Sequence, residues 1–394
     1  DADIYLRESN PPNVIKWGKR VYYYNCHREG GDYAWHKDNL PATVSVNDIN
    51  SSWAFDGKWD PAKVAAAATD PVAENMLLYQ RANGGWPKHF QGNKNVDYNH
   101  QLTDDEMKEL QAGYAEGKDA TIDNEATTKE IKYLVKQYKQ TANTRYLRAA
   151  EKGVQYLLEA QYANGGWPQY YPDFSLYRSQ VTYNDNAMVN VLNVLMDIVK
   201  KKNGMEVIDT LYYRKAVFAV QRGIDCILKT QVKQNGVLTA WCAQYDAKTL
   251  TPAKARMFEL PSLSGMESVG IVRFLMRIDE PSPEVVNAVN SAVKWFDKVR
   301  IKGYKFVFVD APNEKSGKDR VMVPDPTAPD LWARFYDLET NEPFFTGRDS
   351  ERKKTVAEIE NERRIGYAWY GTWPQKLLDT EYPEWKGKKR GNNN

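Results

Sequence analysis

The pentapeptide Asn-Gly-Gly-Trp-Pro occurs twice in this chain, at 83–87 and at 164–168. Each copy follows an amphipathic stretch, AENMLLYQRA or GVQYLLEAQYA. Each is followed at a similar remove by an Asn/Asp-rich segment, TIDNEATT at 121–128 or TYNDNAM at 182–188. The repeating unit is therefore helix, glycine turn, acidic loop, helix. A unit of this size cannot bury its apolar face alone and must stack on its own copies, which predicts an α/α array. In such an array Asp123 and Asp185 are expected at equivalent positions of neighbouring units. A third, degenerate copy at 227–246 keeps the helix, an Asn-Gly turn and Trp241, but lacks the second Gly and the Pro.

The helical period supports the array. Apolar residues recur at i, i+3, i+4 and i+7, as in Ile131, Leu134, Val135 and Tyr138. The pattern predicts antiparallel pairs at 125–141 with 144–161, 186–202 with 210–231, and 264–278 with 282–300. Ser282 before Pro283 and Ser264 at the mouth of its helix fit as start signals. Helices also open at Pro61 and, after Asp70, at Pro71, with proline at the first helical position. After Arg300 the period changes. YKFVFVD at 304–310 alternates like a strand, and a last helix is expected at about 351–364. Residues 1–60 show no sustained period and read as an irregular segment packed on a helical-repeat domain of 61–385. Residues 386–394 read as a flexible tail.

The composition narrows the partners. With 42% hydrophobic and 27% charged residues over 394 positions, a globular core is expected. A net charge of +2 is too balanced for a protein that binds nucleic acid through bulk charge. Cys26, Cys226 and Cys242 are odd in number and form no C-x-x-C motif, which argues against a disulfide framework or structural zinc. No apolar run reaches membrane-spanning length. The opening DADIYLRESN has no signal-peptide pattern, and the expected location is secreted, periplasmic or cell-surface, for a mature form of the chain. A monomer is the expected state. The 12 Trp and 25 Tyr suit either stacking on sugar rings or packing between helices.

Two constellations carry chemistry. Asp123 is followed by Asn124 and Glu125, and Asp185 is flanked by Asn184 and Asn186. Such clusters at helix starts are commonly N-caps. Brought together on one rim, two carboxylates with amide neighbours would instead make a hard-oxygen site for Ca²⁺, or the acid/base pair of an inverting glycosidase. The second constellation is cationic. Lys254 and Arg256 precede a helix, and Arg334 and Arg348 stand among Trp332, Tyr336, Phe344 and Phe345. Surface pairing with neighbouring acids is one reading, with Glu259 the partner of Arg256. Planar, bidentate recognition of carboxylates is the other. Carboxylates for a cation, several arginines and many aromatic rings together point to a uronic-acid polysaccharide.

At these residues the chain resembles the polysaccharide lyase family 10 pectate lyases. The likeness is carried by NGGWPK at 83–88, TIDNEAT at 121–127, TYNDNAM at 182–188, TAWCAQYD at 239–246, ARMFELPSLSG at 255–265 and FYDLETNEPFFTGRDS at 335–350. It spans roughly residues 70–375. The resemblance implies an (α/α)₃ incomplete toroid and calcium-assisted β-elimination of polygalacturonate, which leaves a 4,5-unsaturated sugar. It places the calcium-associated aspartates on Asp123 and Asp185 and the catalytic base on Arg256. It places the substrate-carboxylate arginines on Arg334 and Arg348, with further substrate contacts from Lys254, Lys88 and Asn124. Met257 and Leu260 depart from the family's pattern, where a short residue and a proline are expected. Retention of Asp123, Asp185 and Arg256 together argues against a non-catalytic sugar-binding protein.

Overall fold

The residues that repeat in sequence are the ones that hold each unit together. Trp86, Trp167, Trp241 and Trp332 are all fully buried. Their indole N–H groups donate to helix carbonyls of Met76 (2.7 Å), Leu157 (2.6 Å), Ile227 (2.8 Å) and Phe296 (2.9 Å). A glutamine recurs as well. The side-chain amide of Gln80 donates to the carbonyls of Gly84 and Ala149, both at 2.9 Å. Gln161 does the same to Gly165 and Ala219, and Gln231 to Thr239 and Ala288. Each amide thus ties its own turn to the next unit's helix, satisfying buried carbonyls that would be costly to leave unpaired. Gly84 and Gly165 both have φ of +91°, and a Cβ there would lie 2.2 Å from the Lys152 carbonyl oxygen or 2.0 Å from that of Arg222. Only glycine permits both the backbone conformation and the approach.

The computed structural model describes residues 68–391, together with an antiparallel backbone hairpin at Asn13–Trp17 and Arg20–Tyr24. Contacts divide the chain into units Asp1–Ala67 and Ala68–Asn394. The expected helix at Pro61 and the rest of the 1–60 segment lie outside the described residues.

In the second unit α1 is Pro71–Tyr79, α2 Asp104–Tyr114, α3 Thr128–Thr141, α4 Thr144–Glu159, α5 Ala187–Lys200, α6 Thr210–Thr230, α7 Glu267–Met276 and α8 Pro283–Lys298. The pairs α3/α4, α5/α6 and α7/α8 are antiparallel hairpins of helices. Their first members pack side by side as an inner layer, and α4, α6 and α8 form the outer layer, with α1 beside α4. This is the α/α array that the repeats predict and the helical toroid that the resemblance implies. The strands of the described residues pair only in antiparallel twos, so no central sheet intrudes. The helix starts are as expected where a cap exists: Asp70 accepts from the Ala73 N–H at 2.8 Å, and Ser282 from Val285 at 3.4 Å.

The C-terminal third meets expectation at its strand and departs from it at the last helix. Tyr304–Asp310 is a strand, paired with Lys318–Pro324. The helix expected at 351–364 is broken into a strand at Arg352–Lys353, a single 3₁₀ turn at Val356–Glu358 and the short helix α9, Asn361–Gly366. A Thr355–Glu358 capping box closes that single turn. The last segment is helical as α10, Tyr382–Gly391, where a tail was expected from 386. Trp385 is buried there, and the Tyr382 hydroxyl donates to Asn290 at 2.8 Å.

Candidate active site

The acidic turns are stitched twice. Thr121, Thr182 and Ser264 donate their N–H groups to the carbonyls of Trp86, Trp167 and Trp241. The next residues, Ile122, Tyr183 and Gly265, donate to Gln169, Ala243 and Arg334. Each acceptor in that second set stands two positions after the following unit's tryptophan. Lys88, Gln169, Ala243 and Arg334 are therefore repeat-equivalent.

This register corrects one expectation. With Thr121 matched to Thr182, Asp123 falls on Asn184 and Asn124 falls on Asp185. The two aspartates are not equivalent; they are one residue out of step. The backbone agrees, since Asn124 (φ +47°) and Asp185 (φ +51°) are the left-handed residues of their 3₁₀ turns. Glu125 and Thr127 in the first turn and Asn186 in the second also have positive φ. Such strain persists only where the surroundings impose it, and it gathers at functional sites. The capping alternative also fails. The N-cap residues of α3, α5 and α7 are Thr127, Asn186 and Met266, and none caps through its side chain. Asp123 and Asp185 are free for other work.

The two turns pack against each other at the inner helices' N-terminal rim. Asp123 is buried, and its Oδ2 takes the Lys88 ammonium. Its Oδ1 is buried with no hydrogen-bond partner. Asn124 is exposed beside it. Arg334 is only 5% exposed. Its Nη2 donates to Glu267 Oε1 at 2.7 Å, to Asn184 Oδ1 at 3.1 Å and to Asp185 Oδ1 at 3.4 Å. Burial raises the pKa of Asp185; Arg334 opposes the shift, and the nearby Glu267, Asp123 and Glu259 add to it. Burial alone would lower the pKa of Arg334, but Glu267, the Tyr367 phenol and Asp185 outweigh it and hold the guanidinium protonated.

Arg256 also borders Tyr367. Its Nε and Nη2 bond Glu259 at 2.8 and 2.6 Å. The Tyr367 hydroxyl donates to the same carboxylate at 2.9 Å. The Tyr367 ring lies 4.6 Å from the Arg334 guanidinium and 5.9 Å from that of Arg256. A continuous chain of side chains thus runs Arg256, Glu259, Tyr367, Arg334, Asp185. Hydrogen bonding to Glu259 raises the pKa of Arg256, opposite to what a neutral guanidine base requires.

Lys254, Arg256 and Arg348 line one cleft. Lys254 Nζ donates to the Ser350 hydroxyl at 3.3 Å. Arg348 is exposed and paired with Glu362 through Nε and Nη2. The expected carboxylate receptors Arg334 and Arg348 are thus both engaged with the chain's own acids. The aromatic residues around them are not a sugar platform either: Trp332, Tyr336, Phe344 and Phe345 are buried, the two phenylalanines in a cluster with Phe335, Tyr367 and Trp369.

Glu267 and Tyr367 went unread in the sequence. Glu267 is the third unit's contribution, on a turn two residues shorter, and matching Ser264 to Thr182 exposes it. Tyr367 comes from outside the repeats, and no local pattern marks it. Cys226 and Cys242 are buried free thiols, and Cys26 lies outside the described residues. Among the described residues no helix is long and apolar enough to cross a membrane.

The pectic acid lyase family profile matches residues 80–378. Two solved structures of a family 10 polysaccharide lyase from Cellvibrio cellulosa are similar at 36% identity. One superposes with a TM-score of 0.67, covering 86% of this chain and 95% of the other. The second, an Asp-to-Ala variant in complex with trigalacturonic acid, gives 0.68 with coverages of 83% and 93%. No curated protein matches. Fold and likeness together define a helical-toroid polysaccharide lyase. The chain belongs to the pectic acid lyase family, and its activity is that of a pectate lyase.

Proposed function

We propose that the chain, exported as a monomer, cleaves polygalacturonate by calcium-assisted β-elimination at the rim where the Asp123 and Asp185 turns meet. The observation that carries this reading is the buried, unpartnered Oδ1 of Asp123 beside a second carboxylate. Calcium takes hard oxygen donors, and Asp123, Asn124 and Asp185 supply them. Among the described residues no group of three or more Asp, Glu, His or Cys side chains could hold a metal by itself. The rest of a shell of about six to eight oxygens would come from substrate carboxylate and water.

When bound, the cation would supply Lewis acidity to the carboxylate of the galacturonate being cut. The chain's own residues do the rest. Lys88 fixes one oxygen of Asp123 and leaves the other free. Arg334 holds Asp185 in place and favours its ionised form. In the elimination the C5 proton leaves, the C4–O bond breaks, a C4=C5 double bond forms, and the departing sugar oxygen takes a proton. Arg256 is the candidate acceptor of the C5 proton. To act so it must first leave Glu259 and lose its charge. While paired, it acts only as a fixed positive group near the developing negative charge.

Ultraviolet absorbance of the unsaturated product tests the reading. Polygalacturonate with calcium should generate the chromophore, and a chelator should abolish it. Product formed equally well in chelator would remove the cation from the mechanism. Reducing ends without chromophore would replace elimination with hydrolysis. Arg256→Lys keeps the charge but not the fork. Near-normal turnover in that variant would remove Arg256 as the base.

A further inference from the structure

Beside Arg256 the wall of the cleft changes character. The cleft holds about 540 Å³, lined by Leu176, Tyr177, Lys254, Arg256, Met257 and Arg348 among others, within the roughly 300–1,000 Å³ usual for small-ligand sites. Leu176 is 84% exposed and Met257 55% exposed. Leu176 has φ of +52°, a region where a bulky residue is an outlier and where strain points to function. It opens a 3₁₀ turn, Leu176–Ser179, whose Ser179 hydroxyl donates back to its carbonyl at 3.2 Å. Gln180 ties that turn to the Lys254 carbonyl at 2.8 Å, and Ser350 ties down the Met257 carbonyl at 2.9 Å. The two apolar side chains are presented by anchored backbone.

The cations of this cleft are largely spent. Arg256 is already paired with Glu259 and Arg348 with Glu362. Among the described residues the Lys254 ammonium has only the neutral Ser350 hydroxyl as a partner. A free carboxylate seated against Leu176 and Met257 would lose water and find Lys254 as the one lining cation not already paired with an acid. A carboxyl capped by a methyl group would lose little water and bury the methyl.

We propose that this cleft seats a methyl-esterified galacturonate next to the sugar being cut, so that the enzyme acts on partly esterified pectin as well as on pectate. The inference rests on the β-elimination reading, in which the sugar at the cation keeps its free carboxylate. Leu176 and Met257 are then specificity-determining residues: they contact the ester and take no part in the bond-breaking step.

The test compares kcat/KM on pectin with about half its carboxyls esterified against kcat/KM on polygalacturonate, for the enzyme and for Leu176→Asn/Met257→Gln. Asparagine tolerates the positive φ and both positions are exposed, so the variant should fold; Met257→Gln alone serves as the second variant. The ratio should fall about four- to tenfold in the double variant, the scale of one methyl group's burial in a pocket. An unchanged ratio, with activity falling in step with ester content in both enzymes, would overturn the proposal. On polygalacturonate acetylated at its hydroxyls but free of methyl esters, the two enzymes should behave alike. The same fall there would overturn the assignment to the carboxyl ester. If neither polymer gives unsaturated product, the lyase reading falls and takes this one with it. Product on polygalacturonate with an unmoved ratio overturns this one alone.

Discussion

At the 121–127 turn the carboxylate is Asp123, and its cation, Lys88, comes from two residues after the same unit's tryptophan. At 182–188 the carboxylate is Asp185, one step further along, and its own unit offers Gln169 where the first offers Lys88. The cation for Asp185 comes instead from the equivalent position of the fourth unit, Arg334, shared with Glu267 of the third. The backbone of the two turns is one design, and their wiring differs. The repeat fixes where a side chain can point. The chemistry lies in the positions where one copy departs from another.

The largest effects should come from removing either carboxylate. Asp123→Ala and Asp185→Ala should each lower kcat/KM on polygalacturonate by about 10³-fold, the scale of losing a main electrostatic group. They should also raise the calcium concentration needed for half-maximal rate. If only one did so, the cation would belong to a single turn, and the comparison would reduce to a site and its scaffold.

The two cations should separate on stability. Arg334 is buried against two carboxylates, so Arg334→Ala leaves Glu267 with an uncompensated buried charge. A loss of about 3–5 kcal/mol is expected from denaturant unfolding. Lys88 has a side chain 17% exposed. Lys88→Ala leaves the buried Asp123 carboxylate with water in place of the ammonium and should cost less than Arg334→Ala, about 1–3 kcal/mol, while still reducing activity. Equal losses from the two variants would contradict the difference in burial on which the comparison rests.

Much of this was legible in the sequence. The three helix pairs follow from periodicity, and the glycine turns from their φ requirement. The carboxylate residues themselves stand out as acids at loop ends. The register did not, because equivalence is set by which N–H reaches the next unit's carbonyl, and two Asp in similar strings invite a match by type. Glu267 was hidden by a shorter third turn. The pairing of Arg334 and Arg348 is not legible, because a sequence shows the charge of an arginine but not whether Glu267 or Glu362 already occupies it. The aromatic run at 332–345 looked like a sugar platform because burial cannot be read from aromatic content.

The register can be tested directly. Asp123→Asn combined with Asn124→Asp moves the first carboxylate to the position of Asp185 and makes the turns alike. The charge and composition are unchanged, but the carboxylate leaves Lys88 and the buried pocket for an exposed, left-handed residue. A loss of about 10²-fold in kcat/KM is expected, typical of a group displaced by about an ångström or more. Restoring Asp at 123 alone should recover the rate. A swapped enzyme with normal turnover would mean that the cluster tolerates either register and that the offset has no function.

The smallest effect concerns a residue in the first turn of α3. Glu130 occupies the place that Val191 holds in the second copy. It is fully buried, accepts from the Tyr98 hydroxyl at 2.7 Å, and has its other oxygen unpartnered. Burial pushes its pKa up to about 7, with Lys129 and the Tyr98 bond opposing the shift. The folded protein therefore prefers the protonated form, while the unfolded chain ionises near the ordinary glutamate value. The stability this contributes is fully present below about pH 4.5 and is lost as pH rises through 7. Between pH 5 and 7 the loss should be about 2 kcal/mol. Glu130→Gln keeps an acceptor for Tyr98 and has no proton to lose. Its unfolding free energy should decline less over that interval than that of the unmodified chain, measured in urea at matched ionic strength. Parallel pH profiles would show that Glu130 is ionised at no cost, with water or Lys129 reaching its second oxygen.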